Sequence, residues 1–125
     1  MEKLVLEETY KTPSVSFDAD SGILELKGRV FPENPEDFFG SVLDWLRAYS
    51  GKPAAQTSLT MFLAYFNSTS SEYLFRICKI LESISEAGHS CKLCWEYESD
   101  DEDMKQIGED YANLLKINFE LRAIS

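Results

Sequence analysis

Four consecutive hydroxyl residues, Ser68-Thr69-Ser70-Ser71, follow Asn67 where an apolar segment gives way to a helical pattern. Leu59 to Phe66 reads as a strand, and Tyr73 to Ile84 carries the periodicity of a helix. Backbone N–H groups in the first turn of a helix lack intrahelical acceptors and form the positive end of the helix dipole. A hydroxyl there can cap the helix, and a phosphate ester on it would meet donors already oriented for an anion. The chemistry this run allows is a change of charge by phosphorylation. Thr69-x-x-Glu72 matches a capping box, which explains one or two of the hydroxyls and leaves the others to exposure or modification.

Other reactive residues carry weaker signals. Cys91-x-x-Cys94 has a spacing used for zinc or thiol exchange, but a structural zinc needs a second ligand pair, and His89 is the only histidine. The segment reads as a strand, where residues three apart face opposite sides, so we expect buried structural cysteines. With Cys78 the count is three, which describes no disulfide framework. Asp100-Asp101-Glu102-Asp103 gathers oxygen ligands, yet it lacks the spacing and glycine of a calcium loop. Acids in a first helical turn are favoured by the dipole alone. They would serve equally as a docking surface. No nucleophile elbow, P-loop or dinucleotide fingerprint occurs. The expectation is no catalytic residue, no metal and no cofactor, with a small enzyme resting on Asp100 or Asp101 as an alternative.

The elements that must position these residues follow from pattern. Leu4 to Thr9 and Ser14 to Phe17 alternate as strands, and Asp18 to Gly22 turns into a third strand ending at Val30. Asn34-Pro35-Glu36-Asp37 starts a helix, with Asn as cap and Pro at the first position. Phe38, Val42, Trp45 and Tyr49 form its stripe. In the next strand Leu59, Met61, Leu63 and Tyr65 share one face and Phe62, Ala64 and Phe66 the other. A strand apolar on both faces is expected to be central and covered on each side. Leu74, Ile77, Cys78, Leu81 and Ile84 give the second helix its buried face, and Gly88 ends it. Lys92 to Tyr97 is a strand; Ser99-Asp100-Asp101-Glu102, a second capping box, opens the third helix; Ile117 to Ile124 is the last strand. Trp45 and Trp95 lie in apolar periodic segments and belong to the core. Phe31-Pro32-Glu33-Asn34 either packs as a hydrophobic staple or presents a surface loop to a partner.

The order β-β-β-α-β-α-β-α-β predicts an α/β fold over residues 1–125. Its mixed sheet is antiparallel at the start and parallel in the later βαβ units, packed with about three helices. A hydrophobic content of 44% supports a folded core. A net charge of −10 repels nucleic acid and anionic membranes, and no apolar run approaches the roughly 18 residues of a membrane span. With no signal segment at Met1-Glu2-Lys3, a cytoplasmic protein is expected.

A resemblance rests on Phe31-Pro32-Glu33-Asn34, Phe39-Gly40 with Trp45, Tyr65-Phe66-Asn67-Ser68-Thr69-Ser70-Ser71, Trp95-Glu96-Tyr97, Asp100-Asp101-Glu102-Asp103-Met104 and Gly108-Glu109. In that order these residues resemble the SiaC family of bacterial regulatory phosphoproteins. The element order also resembles the anti-sigma-factor-antagonist (STAS) fold. The resemblance implies a noncatalytic switch with Ser68 as phosphoacceptor, or its neighbour Thr69. A Ser/Thr kinase would add the phosphate and a PP2C-type phosphatase remove it. The unmodified form would bind and activate a diguanylate cyclase, raising cyclic di-GMP and promoting biofilm growth. Asn67, Ser68, Thr69 and Ser70, with Pro32, Glu33 and Asn34, would then face partners. An anti-sigma-factor antagonist acting on transcription is the alternative within the same fold.

Overall fold

In the computed structural model, which describes residues 1–125, the chain forms six strands and three helices in the predicted order. Strands β1 (Leu4–Leu6), β2 (Ser14–Asp18) and β3 (Ile23–Val30) form an antiparallel meander. Helix α1 (Pro35–Ser50) then leads to β4 (Gln56–Phe66), α2 (Ser68–Glu86) to β5 (Ser90–Glu98), and α3 (Glu102–Leu114) to β6 (Asn118–Ile124). From β3 onward neighbouring strands are parallel, and the sheet order is simply β1 to β6.

This consecutive order corrects one expectation. Successive crossovers of one hand between adjacent strands place every helix on the same face of the sheet. On that face Leu24, Leu26, Leu59, Met61, Leu93 and Trp95 are almost wholly buried. β4 is interior to the sheet, but no helix covers its other side. There Thr60 and Phe62 are only half-buried, among charged neighbours on flanking strands. Lys27 pairs with Glu25, Lys92 with Glu120, and Arg122 with Glu96 and Glu120. The aliphatic stems of these long side chains shield the strand while their charges stay in water.

A second correction concerns the end of β4. Leu63 lies opposite Gly28, but the next partner of β3, Arg29, lies opposite Tyr65. Ala64 is the extra residue, and a bulge of this kind reverses the alternation that follows. Tyr65 therefore turns to solvent, 51% exposed, and Phe66 turns inward to meet Trp95 edge-on, with ring centroids 6.4 Å apart. Gly28, where the register shifts on β3, has φ of 131°, a backbone conformation open to glycine.

α3 lies against the sheet through a missing side chain. A Cβ at Gly108 would sit 2.6 Å from Trp95 Cδ1 and 2.7 Å from Leu121 Cδ2. Trp95 Nε1 donates to the Met104 carbonyl at 3.2 Å, joining β5 to the same helix. At the far end of α2, the buried Glu82 carboxylate accepts from the Lys116 backbone N–H at 2.6 Å and is paired with Lys79. These donors hold its carboxyl below the usual range despite burial.

Candidate functional site

Parallel strands that end on one edge of a sheet start their helices on that edge, so the hydroxyl run and Phe31-Pro32-Glu33-Asn34 are brought side by side. Val30 pairs with Phe66, and the Asn67 N–H donates to the Val30 carbonyl at 3.4 Å. Asn34 caps α1 as expected: its side chain accepts from Asp37 N–H at 3.3 Å, with Pro35 at the first helical position.

The cap of α2 is Asn67 rather than Thr69. Its Oδ1 accepts from Ser70 N–H at 3.0 Å, and the helix begins at Ser68. An asparagine oxygen reaches this amide without competing for the hydroxyls, so no capping box forms around Thr69 and Glu72. At α3 the cap is likewise Asp101, accepting from Met104 N–H at 3.0 Å, rather than Ser99. Acids occupy the first turn of α1 (Glu36, Asp37) and of α3 (Glu102, Asp103); the first turn of α2 has none.

With Asn67 as cap, the hydroxyls separate into two pairs. Ser68 and Thr69 are exposed at the first two helical positions. Ser70 is fully buried, and its hydroxyl has no hydrogen-bond partner. Ser71 Oγ lies 3.1 Å from Tyr111 Oη, which also donates to the Ser71 carbonyl at 3.1 Å. Burial pushes the Tyr111 phenol up to about 12. The fourth hydroxyl thus ties the start of α2 to α3. Beside it a groove of about 700 Å³ opens between these helices, lined by Phe66, Phe75, Ile107, Tyr111 and Leu114, with Ser68 on its rim.

Two residues expected to face a partner do not. Ser70 points into the core, and Pro32 is buried between the end of β3 and the start of α1. Glu33 is exposed and ion-paired with Lys11, which holds its carboxyl below the usual range. Asn34 and Asn67 are engaged as caps, with Asn34 exposed and Asn67 half-buried. Phe31 makes no staple: it packs edge-on against Tyr10 and Tyr65, both at 5.7 Å between centroids. Sequence patterning missed these contacts because Tyr10 meets Phe31 across a long sequence separation and Tyr65 is turned outward by the bulge at Ala64.

The cysteines are buried. Strand alternation sends Cys91 to the helix face and Cys94 to the opposite one, so the two thiols cannot share an ion or a disulfide. Burial pushes the Cys91 thiol up to about 11 and raises those of Cys78 and Cys94. Asp100 to Asp103 hold no converging set: no three His, Cys, Asp or Glu side chains are grouped to ligate a metal. No helix is long and apolar enough to cross a membrane.

Comparison with known proteins agrees with this geometry. An uncharacterized protein of Pseudomonas aeruginosa is 27% identical over 123 residues, covering 98% of each chain. The crystal structure of apo-SiaC from Pseudomonas aeruginosa matches with a TM-score of 0.90 at 27% identity, over 98% of this chain and 100% of that one. SiaC in the crystal structure of the diguanylate cyclase SiaD in complex with its activator SiaC, from the same organism, matches at 0.92 and 26% identity, over 97% and 99%. The profile of the SiaC family regulatory phosphoproteins covers residues 6–124. By that match over nearly its whole length, the chain belongs to the SiaC family of regulatory phosphoproteins.

Proposed function

We propose that this chain is a noncatalytic, phosphorylation-gated binding module of the cytoplasm. Ser68 is its acceptor, Thr69 the alternative, and its unmodified form binds and activates a diguanylate cyclase. A Ser/Thr kinase and a PP2C-type phosphatase set the state. The observation that carries this reading is the start of α2. It has a side-chain cap and two free, exposed hydroxyls, and it is the one helix here without an acid in its first turn. The complex of the relative SiaC with the cyclase SiaD supports the choice of partner.

The mechanism is electrostatic. A phosphate adds about −1.5 to −2 charges at neutral pH. The helix terminus stabilises such an anion by about 0.3–2 kcal/mol, so the fold survives modification. A partner surface fitted to a neutral hydroxyl must instead bury an unpaired dianion, at a cost of several kcal/mol. A net loss of about 3–4 kcal/mol is a fall of some hundreds-fold in affinity. Release of the partner without refolding is the expected result.

The experiment is a calorimetric titration of the diguanylate cyclases of the source genome with unmodified and Ser68-phosphorylated protein. Peptide mapping by mass spectrometry fixes the modified residue. Tight binding by the unmodified form alone is expected, with Ser68→Asp reproducing the loss. Equal binding by both forms would overturn the gating mechanism.

A further inference from the structure

Beside the hydroxyl run stands a corner that the phosphate switch does not use. Phe31 fills the space between Tyr10 and Tyr65, meeting both rings edge-on. Tyr10 is 70% exposed, and neither tyrosine hydroxyl is hydrogen-bonded within the chain. Backbone contacts pre-form the corner. Phe31 N–H donates to the Lys11 carbonyl at 2.8 Å, and Arg29 Nε donates to the Tyr10 carbonyl at 3.0 Å. The Arg29 guanidinium lies 4.6 Å from the centre of the Tyr10 ring. In a chain of 22 acidic residues, Arg29 has no carboxylate partner within ion-pair distance. Its terminal nitrogens are left free to meet one from outside.

We infer that the corner of Tyr10, Phe31, Tyr65 and Arg29 supplies most of the affinity for the partner, receiving an apolar side chain flanked by a carboxylate. This rests on the reading of the chain as a module that binds a cyclase. Exposed tyrosines and an arginine are the residue types that dominate interface energetics, because tyrosines bury large areas at small cost in conformational freedom. The free guanidinium selects a carboxylate, which it can grip through two parallel hydrogen bonds. Tyr65 is two residues from Asn67, so an acidic partner seated on the corner extends toward Ser68. A phosphate there repels the same carboxylate that Arg29 attracts. Affinity and its control thus occupy adjacent residues with separate chemistry.

The test titrates the cyclase that binds wild-type protein with Tyr10→Ala, Tyr65→Ala, Arg29→Gln and Leu114→Ala, each in the unmodified full-length chain. Leu114 is 66% exposed on the groove side of the hydroxyl run and serves as the rival face. Each tyrosine variant is expected to bind about tenfold or more weakly while keeping a cooperative thermal transition. Arg29→Gln is expected to weaken binding and flatten its salt dependence. Leu114→Ala is expected to bind as wild type. Should a tyrosine variant fail to fold, Arg29→Gln decides the matter. Wild-type affinity in Arg29→Gln and the folded tyrosine variants, or a loss confined to Leu114→Ala, would overturn the assignment of this corner while leaving the module's function standing. Wild-type protein that binds none of the cyclases would overturn both.

Discussion

The starts of α2 and α3 are capped alike and differ in charge. Both helices begin at the carboxyl edge of the parallel strands, and both are capped by an Asx side chain accepting from the amide three residues on, at 3.0 Å. At α3 the next residues are Glu102 and Asp103; at α2 they are Ser68 and Thr69. Acids in the first turn neutralise the positive end of the helix permanently. Hydroxyls leave that end open to a charge that can be added and removed. The difference teaches that the same kind of cap serves a helix end whose first turn is acidic and one whose first turn is uncharged, and the proposed switch rests on that contrast.

The two helices are also held by different devices. α3 is seated on Trp95 through Gly108, and Gly108→Ala should cost about 1–3 kcal/mol by overpacking, read as a lower urea midpoint. A neutral outcome would mean that α3 shifts freely on the sheet. The opposite end of α2 is pinned by Glu82. Glu82→Gln should cost about 1.5 kcal/mol, because a charged acceptor becomes a neutral one at the Lys116 amide. The pH dependence has a definite sign. The folded carboxyl titrates below its unfolded value, so its contribution is complete above about pH 4.5 and fades as pH falls through the lowered folded value. Acid unfolding of Glu82→Gln should accordingly be shallower across that window.

Removing the two caps tests their equivalence. Asn67→Ala and Asp101→Ala should each lose about 1 kcal/mol in chemical denaturation. A loss of cyclase affinity in the first variant, beyond what its stability explains, would show that Asn67 also meets the partner. The smallest effect is the most diagnostic. Phosphorylation of Ser68 should stabilise the fold by about 0.3–1 kcal/mol at low salt, and Glu102→Gln should destabilise it by a similar amount. Both changes should shrink as salt screens them. Destabilisation by the phosphate would contradict the comparison between the two helix ends.

Much of this was legible in local pattern. Asn34-Pro35-Glu36-Asp37 announces α1 because capping and proline geometry act within one turn. The stripe from Leu74 to Ile84 announces the buried face of α2 for the same reason. The hydroxyl run and its place at a helix start were visible, but not how its members divide. Ser70 is buried by tertiary packing, and Ser71 meets Tyr111, a residue 40 positions away. The aromatic corner was hidden likewise, since Tyr10 comes from the loop between β1 and β2, Phe31 from just past β3, and Tyr65 from the end of β4.

Sequence alone determined the order of the elements, their approximate limits and the absence of fixed negative charge where α2 begins. These depend on residue periodicity and on contacts within one helical turn. Only the tertiary structure decided that all helices lie on one face, that Ala64 reverses the end of β4, and that two of the four hydroxyls remain free. Those outcomes depend on which strands become neighbours and in what register, and such long-range pairings leave no periodic trace in the chain.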